Sequence, residues 1–488
     1  MVVDELKYKI LQQFGFPPTL EQANALDVFA RFLTDRNPQV VMILRGSAGT
    51  GKTSLSGAIV RTLQSIRQKV MLLAPTGRAA KVFSQNSGTP AYTIHRRIYR
   101  EKSFSGVDGQ FNLNDNLFTD TLFMVDEASM VANMGLGGMN FGSGCLLDDL
   151  VHFVYQGRND RLMLIGDKAQ LPPVGEEESP ALNAAMLQGY GLTVYECDLN
   201  EVLRQSEQSG ILYNATMIRQ MITHDDITQL PKIRFTGFSD IRQMPGAELI
   251  EALADSYHHV GLDDTIVVTR SNKRANIFNQ GIRNMVLDRE EELSQGDILM
   301  IVKNNYYWME EERKKIKEKD NQVPSNDIPA FLANGDRAKV LKVRRRIDLY
   351  GFRFATLLLQ FPDYGNYELE ATVLLDTLTS EAPALTHEQQ EQLFHQIEDD
   401  YQDVPLKADR MKAIRQDQFY NALQVKFAYA VTCHKAQGGQ WAHVYVDQGY
   451  MTDDMLTPDY IHWLYTAFTR ATEMLYLVNW PETQIETS

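Results

Sequence analysis

At 488 residues the chain exceeds what one hydrophobic core usually holds, so two or more domains are expected. Its composition, 44% hydrophobic and 23% charged, is globular rather than disordered; no apolar run approaches the roughly 18 residues that cross a bilayer, and three cysteines (Cys145, Cys197, Cys433) are too few and scattered for a disulfide framework or zinc site. The start lacks the layout of a secretory signal, so a cytoplasmic home without membrane contact is expected, and the net charge of −15 counts against a nucleic-acid partner only in sum, since phosphate binding depends on where positive charge sits.

The first informative element is Val40-Val-Met-Ile-Leu44, a continuous apolar run of the kind a buried parallel strand shows. It leads into Gly46-Ser-Ala-Gly-Thr-Gly-Lys-Thr53, a complete phosphate loop. In this pattern the glycines let backbone N–H groups of Gly46, Ser47, Ala48, Gly49, Thr50 and Gly51 curl around phosphate oxygens, Lys52 reaches the β and γ phosphates, and the Thr53 hydroxyl ligates Mg²⁺. The residues after Thr53 place Leu55, Ala58, Ile59 and Leu63 on one helical face, with the helix N-terminus towards the anion. ATP and Mg²⁺ are the expected cofactors.

Further strands follow at Val70-Met-Leu-Leu-Ala-Pro75 and Leu122-Phe-Met-Val-Asp126, the alternation of a doubly wound sheet. The second ends in Asp126 and Glu127, adjacent carboxylates at a strand's carboxyl end, where Asp126 can hold Mg²⁺ and Glu127 can deprotonate an attacking water. A third strand, Arg161-Leu-Met-Leu-Ile165, precedes Gly166-Asp-Lys-Ala-Gln-Leu-Pro-Pro173, whose Gln170 is a candidate sensor of the γ-phosphate. The glycine-rich stretch 134–144 reads as a surface loop. Between these strands, residues 96–113 combine Arg96, Arg97, Arg100 and Lys102 with a turn at 106–109 flanked by Phe104 and Phe111. Together these make a hairpin candidate whose rings can stack on a terminal base pair.

A second set of strands is expected at Thr265-Ile-Val-Val-Thr-Arg270, Phe427-Ala-Tyr-Ala-Val431 and Met474-Leu-Tyr-Leu-Val478, the last after a helix over 463–471. No second phosphate loop occurs, so this lobe must complete the first lobe's site rather than carry its own. Residues 290–420 mix strand-like runs, such as Phe354-Ala-Thr-Leu-Leu-Leu-Gln360, with a polar helical run at 387–400, and hold the basic run Arg337, Lys339, Lys342, Arg344, Arg345, Arg346. Such a run is more often a solvated face than a binding patch.

These stretches together resemble a superfamily-one DNA helicase of the RecD and phage Dda branch. The resemblance rests on the phosphate loop, Asp126-Glu127, Thr19-Leu-Glu-Gln22, Ala74-Pro-Thr-Gly-Arg-Ala-Ala80, Thr93-Ile-His95, residues 166–173, Leu199-Asn-Glu-Val-Leu-Arg-Gln205, Val431-Thr-Cys-His-Lys-Ala-Gln-Gly438 and Leu464-Tyr-Thr-Ala-Phe-Thr-Arg-Ala471. It implies an α/β fold of two RecA-like lobes, parallel sheets flanked by helices. The first would comprise 1–89 and 122–205 with a pin insertion at 90–121, and the second 206–289 and 421–488 with an SH3-like barrel and helical insertion at 290–420. It further implies that Gln22 reads the adenine edge and that Arg204 and Arg470 are arginine fingers. Single-stranded DNA would be tracked by Pro75, Thr76, Thr93 and His95 on one lobe and by Thr432, His434 and Lys435 on the other. The implied activity is five-prime to three-prime unwinding at duplex junctions, in repair, recombination or replication, by a monomeric motor that would need a partner for any strand cutting. Two rival readings explain less. A phosphate-loop ATPase or kinase unrelated to nucleic acid leaves Arg204, residues 432–438 and Arg470 without roles, and a non-catalytic strand-binding subunit has no need of Lys52, Thr53, Asp126 and Glu127 together.

Overall fold

The computed structural model describes residues 2–101, 111–135, 142–201, 208–224, 228–318 and 331–486. The chain forms two compact units, one of residues 1–104, 110–244 and 436–488, the other of residues 105–109 and 245–435. The expected candidates Arg204 and Phe104, and residues 136–141 of the glycine-rich stretch, lie outside the described residues.

The first unit is built on a six-stranded parallel sheet. Its strands are β1 (Val40–Gly46), β2 (Lys69–Ala74), β3 (Ala91–Thr93), β6 (Thr121–Val125), β7 (Arg161–Gly166) and β8 (Thr193–Leu199), while β4 (Tyr99–Glu101) and β5 (Phe111–Leu113) form a separate antiparallel pair. The sheet order is β3-β2-β6-β7-β1-β8. Every residue of β1, β6 and β7 is buried, which is why these strands read as unbroken apolar runs, whereas the edge strand β8 buries only Cys197 and Leu199. Helices Leu20–Thr34 and Lys52–Ser65 contribute Leu26, Phe29, Leu55 and Ile59 to the core around Val40, Met42 and Leu44, and helix Val2–Phe14 adds Leu6, Ile10 and Phe14, spaced four apart on one face. Leu44 is fully buried there, and truncating such a residue to Ala costs about 2–5 kcal/mol.

β1 is fixed to β8 at its carboxyl end. Arg45 lies opposite Asp198 in the register, its Nε donating to Asp198 Oδ1 at 2.6 Å and its Nη2 to Glu196 Oε2 at 2.7 Å. These carboxylates hold the buried guanidinium above its ordinary pKa.

β9 (Ile241–Met244) completes the central stretch of this unit's sequence. In the second unit, β10 (Thr265–Thr269) pairs in parallel with β16 (Ala430–Thr432). Between them in sequence, β11 (Ile298–Ile301), β12 (Arg337–Leu349), β13 (Phe352–Phe361), β14 (Tyr367–Leu374) and β15 (Leu423–Phe427) close into a barrel. Helices His387–Asp400 and Lys407–Arg415 cover one part of it through Leu393, Ile397 and Ile414 against Phe352, Phe354 and Leu374. The first of these helices starts on a capping box made by Thr386 and Gln389. The basic run on β12 is locally neutralised: Arg344 pairs with Glu370 at 2.6 Å and Arg346 with Glu291 at 3.0 Å.

Returning to the first unit, β17 (Trp441–Asp447) and β18 (Ala471–Val478) run parallel, and β18 pairs in parallel with β9. Parallel strands flanked by helices therefore recur before and after the barrel in sequence, an α/β architecture. No helix among the described residues is long and apolar enough to cross a membrane.

Two expected elements differ in the structure. The single strand expected over 427–431 is two, β15 and β16, because the Asn279 side chain occupies the break: its amide donates to Phe427 O and Ala430 O and accepts from Tyr429 N and Ala430 N. The helix expected over 463–471 is Pro458–Phe468, set at its start by Pro458 behind the Thr457 cap, so Arg470 lies in the turn before β18.

Candidate functional site

The phosphate loop closes between β1 and helix Lys52–Ser65. Gly49 and Gly51 have φ of 77° and 79°, the left-handed region that side-chain-bearing residues rarely adopt. At Gly46 a Cβ would meet Lys52 Cγ at 2.8 Å and Thr50 Oγ1 at 2.9 Å, so glycine is required for the lysine stem to pass. The Lys52 ammonium folds back on the loop, donating to Gly46 O and, at 3.0 Å, to Ser47 O. Thr53, on the first turn of the helix, is exposed.

The turn before helix Leu20–Thr34 serves this loop. Thr19 and Gln22 form a capping box, and Gln22 Nε2 donates to Thr50 O at 3.0 Å. The amide oxygen of Gln22 accepts from Thr19 N at 3.0 Å, and the residue is 1% exposed. Each end of the Gln22 amide thus makes one bond inside the protein, to the phosphate loop and to its own cap. Its neighbour Glu21 accepts from Asn200 N and Glu201 N, anchoring the segment that leaves β8.

Asp126 and Glu127 follow β6. Asp126 Oδ1 accepts from Glu127 N at 2.9 Å. Burial, then the neighbouring Glu127 carboxylate, push the Asp126 pKa up to about 7, with the Lys52 charge opposing them. A buried carboxyl beside a second carboxylate suits a divalent cation, which would relieve that repulsion. Glu127 itself has φ 52°, a left-handed conformation that costs a non-glycine residue on the order of 1–3 kcal/mol and that turns the chain into the short 3₁₀ turn Ala128–Met130.

Between the two lies β7, paired to β1 on one side and β6 on the other, so that the turn after Gly166 sits between the loop and the carboxylates. Gln170 on this turn is 7% exposed and its Oε1 has no hydrogen-bond partner; Ser129, two residues beyond Glu127, is 1% exposed with its Oγ equally unpartnered. Unsatisfied buried acceptors of this kind are uncommon, and at strand ends they mark where a ligand or water binds.

Helix Pro458–Phe468 holds this turn with one face. His462 Nδ1 lies 2.9 Å from Ala169 O, Thr466 Oγ1 accepts from Leu171 N at 2.8 Å, and Tyr465 donates to Asp167 Oδ2 at 2.6 Å. Gln437 Nε2 adds a bond to Leu171 O at 2.7 Å. Tyr465 also accepts from the phosphate loop, from Ala48 N at 3.0 Å. Arg470, expected as an arginine finger, is 2% exposed and faces its own surroundings: Nε donates to Thr466 O, Nη1 to Gly439 O and Nη2 to Thr469 Oγ1, at 3.0–3.1 Å. Because the helix ends before it, its guanidinium bonds one carbonyl of that helix, the neighbouring Thr469 hydroxyl and Gly439 O. Among the described residues an arginine from another helix does reach the loop: Arg219, on helix Gly210–His224, whose Nη1 donates to Ser47 Oγ and to Asn200 O. Sequence reasoning missed it because Met-Ile-Arg219-Gln carries no motif.

The strand-contact candidates fall into both units. Thr76 and Thr93 are N-caps of helices Gly77–Ser87 and Ile94–Ile98, accepting from Ala79 N at 3.2 Å and Arg96 N at 3.3 Å, with Pro75 half-buried alongside. His95 packs beside Tyr99 at 5.6 Å between centroids, and desolvation pushes its pKa down to about 4, so the ring is neutral at pH 7. The turn at 436–440 lies against the first of these helices: a Cβ on Gly438 would meet Ala79 Cβ and Thr76 Oγ1 at 3.1 Å, and Arg78 donates to Gln440 O at 2.7 Å while covering Trp441 at 4.4 Å. Thr432, on β16, and the exposed His434 and half-buried Lys435 belong to the second unit, where burial lowers the Lys435 pKa to about 8. At the hairpin, Phe111 lies opposite Glu101 in the register of β4 and β5.

Comparison with known proteins places an AAA domain at residues 20–230 and a UvrD-like helicase C-terminal domain at residues 427–478. The chain is 32% identical over 155 residues to the ATP-dependent RecD2 DNA helicase of Deinococcus radiodurans, covering 32% of this chain and 18% of that protein. It is 25% identical over 289 residues to the ATP-dependent DNA helicase dda of Enterobacteria phage T4, covering 57% of this chain and 60% of that one. The chain thus spans less than two thirds of either relative. A Pif1 helicase structure from Bacteroides in complex with ADP-AlF3 and ssDNA aligns over 97% of this chain and 95% of its own, at 13% identity and a TM-score of 0.45. The AAA-domain match holds the phosphate loop and the carboxylate pair, and the match to the UvrD-like helicase C-terminal domain holds the helix that braces the turn between them.

Proposed function

We propose that the chain is an ATP-dependent DNA helicase that moves along single-stranded DNA, five-prime to three-prime, and opens duplex at junctions. The observation that carries this is the alignment of three strand ends in the order β6, β7, β1, bearing the carboxylate pair, the Gln170 turn and the phosphate loop. Lys52 binds the β and γ phosphates once its ammonium leaves the loop carbonyls, Glu127 takes the proton of the attacking water, and the unpartnered oxygen of Gln170 accepts a hydrogen bond from that water. Thr53 and Asp126 would hold Mg²⁺, which when bound neutralises charge developing on the phosphate oxygens. Arg219 places a guanidinium at the loop, where charge on the transferring phosphoryl group would be stabilised, with Arg204 a second candidate from the resemblance alone. Gln22 reads the adenine edge with the amide hydrogen that its bond to Thr50 O leaves over. The single strand is contacted by Thr76, Thr93 and His95 of the first unit and by Thr432, His434 and Lys435 of the second, contacts to sugar and phosphate that ignore sequence. Pro75, Phe104 and Phe111 retain their expected places on the track and the pin.

The reading is tested with forked duplexes bearing a five-prime or a three-prime tail, in DNA and in RNA, alongside ATPase assays with and without single strands. ATP turnover stimulated by single-stranded DNA, with unwinding confined to five-prime-tailed DNA, is expected. Turnover indifferent to nucleic acid would overturn the motor reading, and unwinding from the three-prime tail alone would overturn the polarity.

A further inference from the structure

One peptide plane of the phosphate loop is held at both ends. The bond between Ser47 and Ala48 is planar, so its C=O and N–H point to opposite sides. The Ser47 oxygen accepts from the Lys52 ammonium at 3.0 Å, and the Ala48 N–H donates to the Tyr465 hydroxyl, also at 3.0 Å. The same hydroxyl donates to Asp167 Oδ2 at 2.6 Å, and the other Asp167 oxygen accepts from Ala169 N at 3.0 Å. Tyr465 is 1% exposed and Asp167 3% exposed. Burial and the Asp167 carboxylate raise the phenol far above its ordinary pKa, so it stays protonated and can donate and accept at once. Gln170, with its unpartnered oxygen, stands between Ala169 and Leu171, whose backbones are held by His462 and Thr466 from the same helical face.

We infer that Tyr465 is a positioning residue that couples the Lys52 end of the phosphate loop to the Gln170 turn; this rests on the ATPase reading above. Binding a triphosphate draws the Lys52 ammonium from Ser47 O to the phosphates. The 47–48 plane is then held by the Thr50 hydroxyl, which donates to Ser47 O at 2.8 Å, and at its other end by Ala48 N–H on Tyr465. Because the Tyr465 hydroxyl joins that plane to Asp167, rotation of the plane and movement of the turn are one event. The presence of the terminal phosphate is thereby communicated to Gln170 without direct contact between the turn and the loop.

The test is Tyr465→Phe, which keeps the buried ring and removes only the hydroxyl. Steady-state ATP hydrolysis with saturating single-stranded DNA, equilibrium ADP binding and thermal unfolding are compared with wild type. Loss of a hydrogen bond to a charged group predicts a fall in kcat of about tenfold or more, with ADP affinity changed by less than about threefold. A double cycle with Asp167→Asn should be less than additive, because both changes break one chain of bonds. Unchanged kcat, additive effects, or ADP affinity and turnover falling in step with the melting temperature would each overturn the assignment. Wild-type protein that hydrolyses no ATP in the presence of single strands would instead overturn the ATPase reading beneath it.

Discussion

The centre and the edge of the six-stranded sheet hold their candidate residues by different means. At the centre, along β6, β7 and β1, side chains distant in sequence do the holding. Tyr465 reaches Ala48 and Asp167, Arg219 reaches Ser47, and Gln22 reaches Thr50, while Gln170 and Ser129 are left with buried atoms that nothing among the described residues satisfies. At the edge, along β2 and β3, the holding is local: Thr76 and Thr93 each accept a backbone N–H three residues on. A capping hydroxyl accepts that bond and keeps its own hydrogen, so it can brace a helix and donate to a phosphate oxygen together. A preorganised centre and a dual-use edge should therefore fail differently when mutated.

The largest effects are expected at the centre. Lys52→Ala removes the point charge on the β and γ phosphates and should nearly abolish hydrolysis. Glu127→Gln keeps the shape and removes the base, so hydrolysis should fall by about 10²-fold or more while a nucleotide analogue still binds. Analogue binding lost as fully as turnover would make Glu127 a structural residue, its left-handed backbone a matter of the turn alone. Next comes Arg219→Ala, for which kcat should fall by roughly 10-fold to 100-fold with an unchanged melting temperature, because the guanidinium is only partly buried. An unaffected kcat would leave the loop with no arginine among the described residues and would move the weight to Arg204.

The contrast also marks what the sequence could disclose. The phosphate loop and the carboxylate pair are legible because their chemistry is contiguous: eight residues after a buried strand, two after another. The buried strands are legible too, since a strand covered on both faces has no polar positions to confuse the pattern. What a linear reading lacks is the partner at long range. Tyr465 is 417 residues from Ala48 and Arg219 is 172 from Ser47, so neither bond leaves a local trace. Arg470 shows the complementary limit: a motif gives the residue type, whereas the direction of its guanidinium depends on where the preceding helix stops. Asn279, 151 residues from Ala430, divides one expected strand into two by the same long-range route.

At the edge, Thr93 separates the two uses of one hydroxyl. Thr93→Ala removes cap and donor together, costing about 1 kcal/mol of stability and weakening affinity for single-stranded DNA, with ATP affinity roughly intact. Thr93→Asn keeps a capping oxygen and changes the outward group, so it should restore the melting temperature without restoring the strand affinity. If Thr93→Asn binds single strands as wild type does, the cap is the residue's whole role. The reverse pattern, in which ATP affinity falls and strand affinity does not, would move Thr93 from the track altogether.

The smallest effect is expected where the edge meets the hairpin. Tyr99, at the start of β4, donates to Asp149 Oδ2 at 2.7 Å, and the same carboxylate accepts from Ser143 N, so one buried acid holds both the hairpin base and the end of the glycine-rich stretch. Burial and this carboxylate raise the phenol's pKa, which keeps it a donor throughout the physiological range. Tyr99→Phe leaves the ring packed and Asp149 still bonded to Ser143, so the loss should be about 1 kcal/mol rather than the larger penalty of an unpaired buried acid. If β4 and β5 support a pin that divides the strands, loosening their base should slow unwinding of forked DNA by a few-fold while ATPase stimulated by single strands stays near the wild-type rate. Phe111→Ala provides the reference, since it removes a ring whose stacking on a terminal base pair would be worth roughly 1–3 kcal/mol. Unwinding unaffected by both changes would show that the hairpin plays no part in separating strands. ATPase falling in parallel with unwinding would place its role in the motor instead.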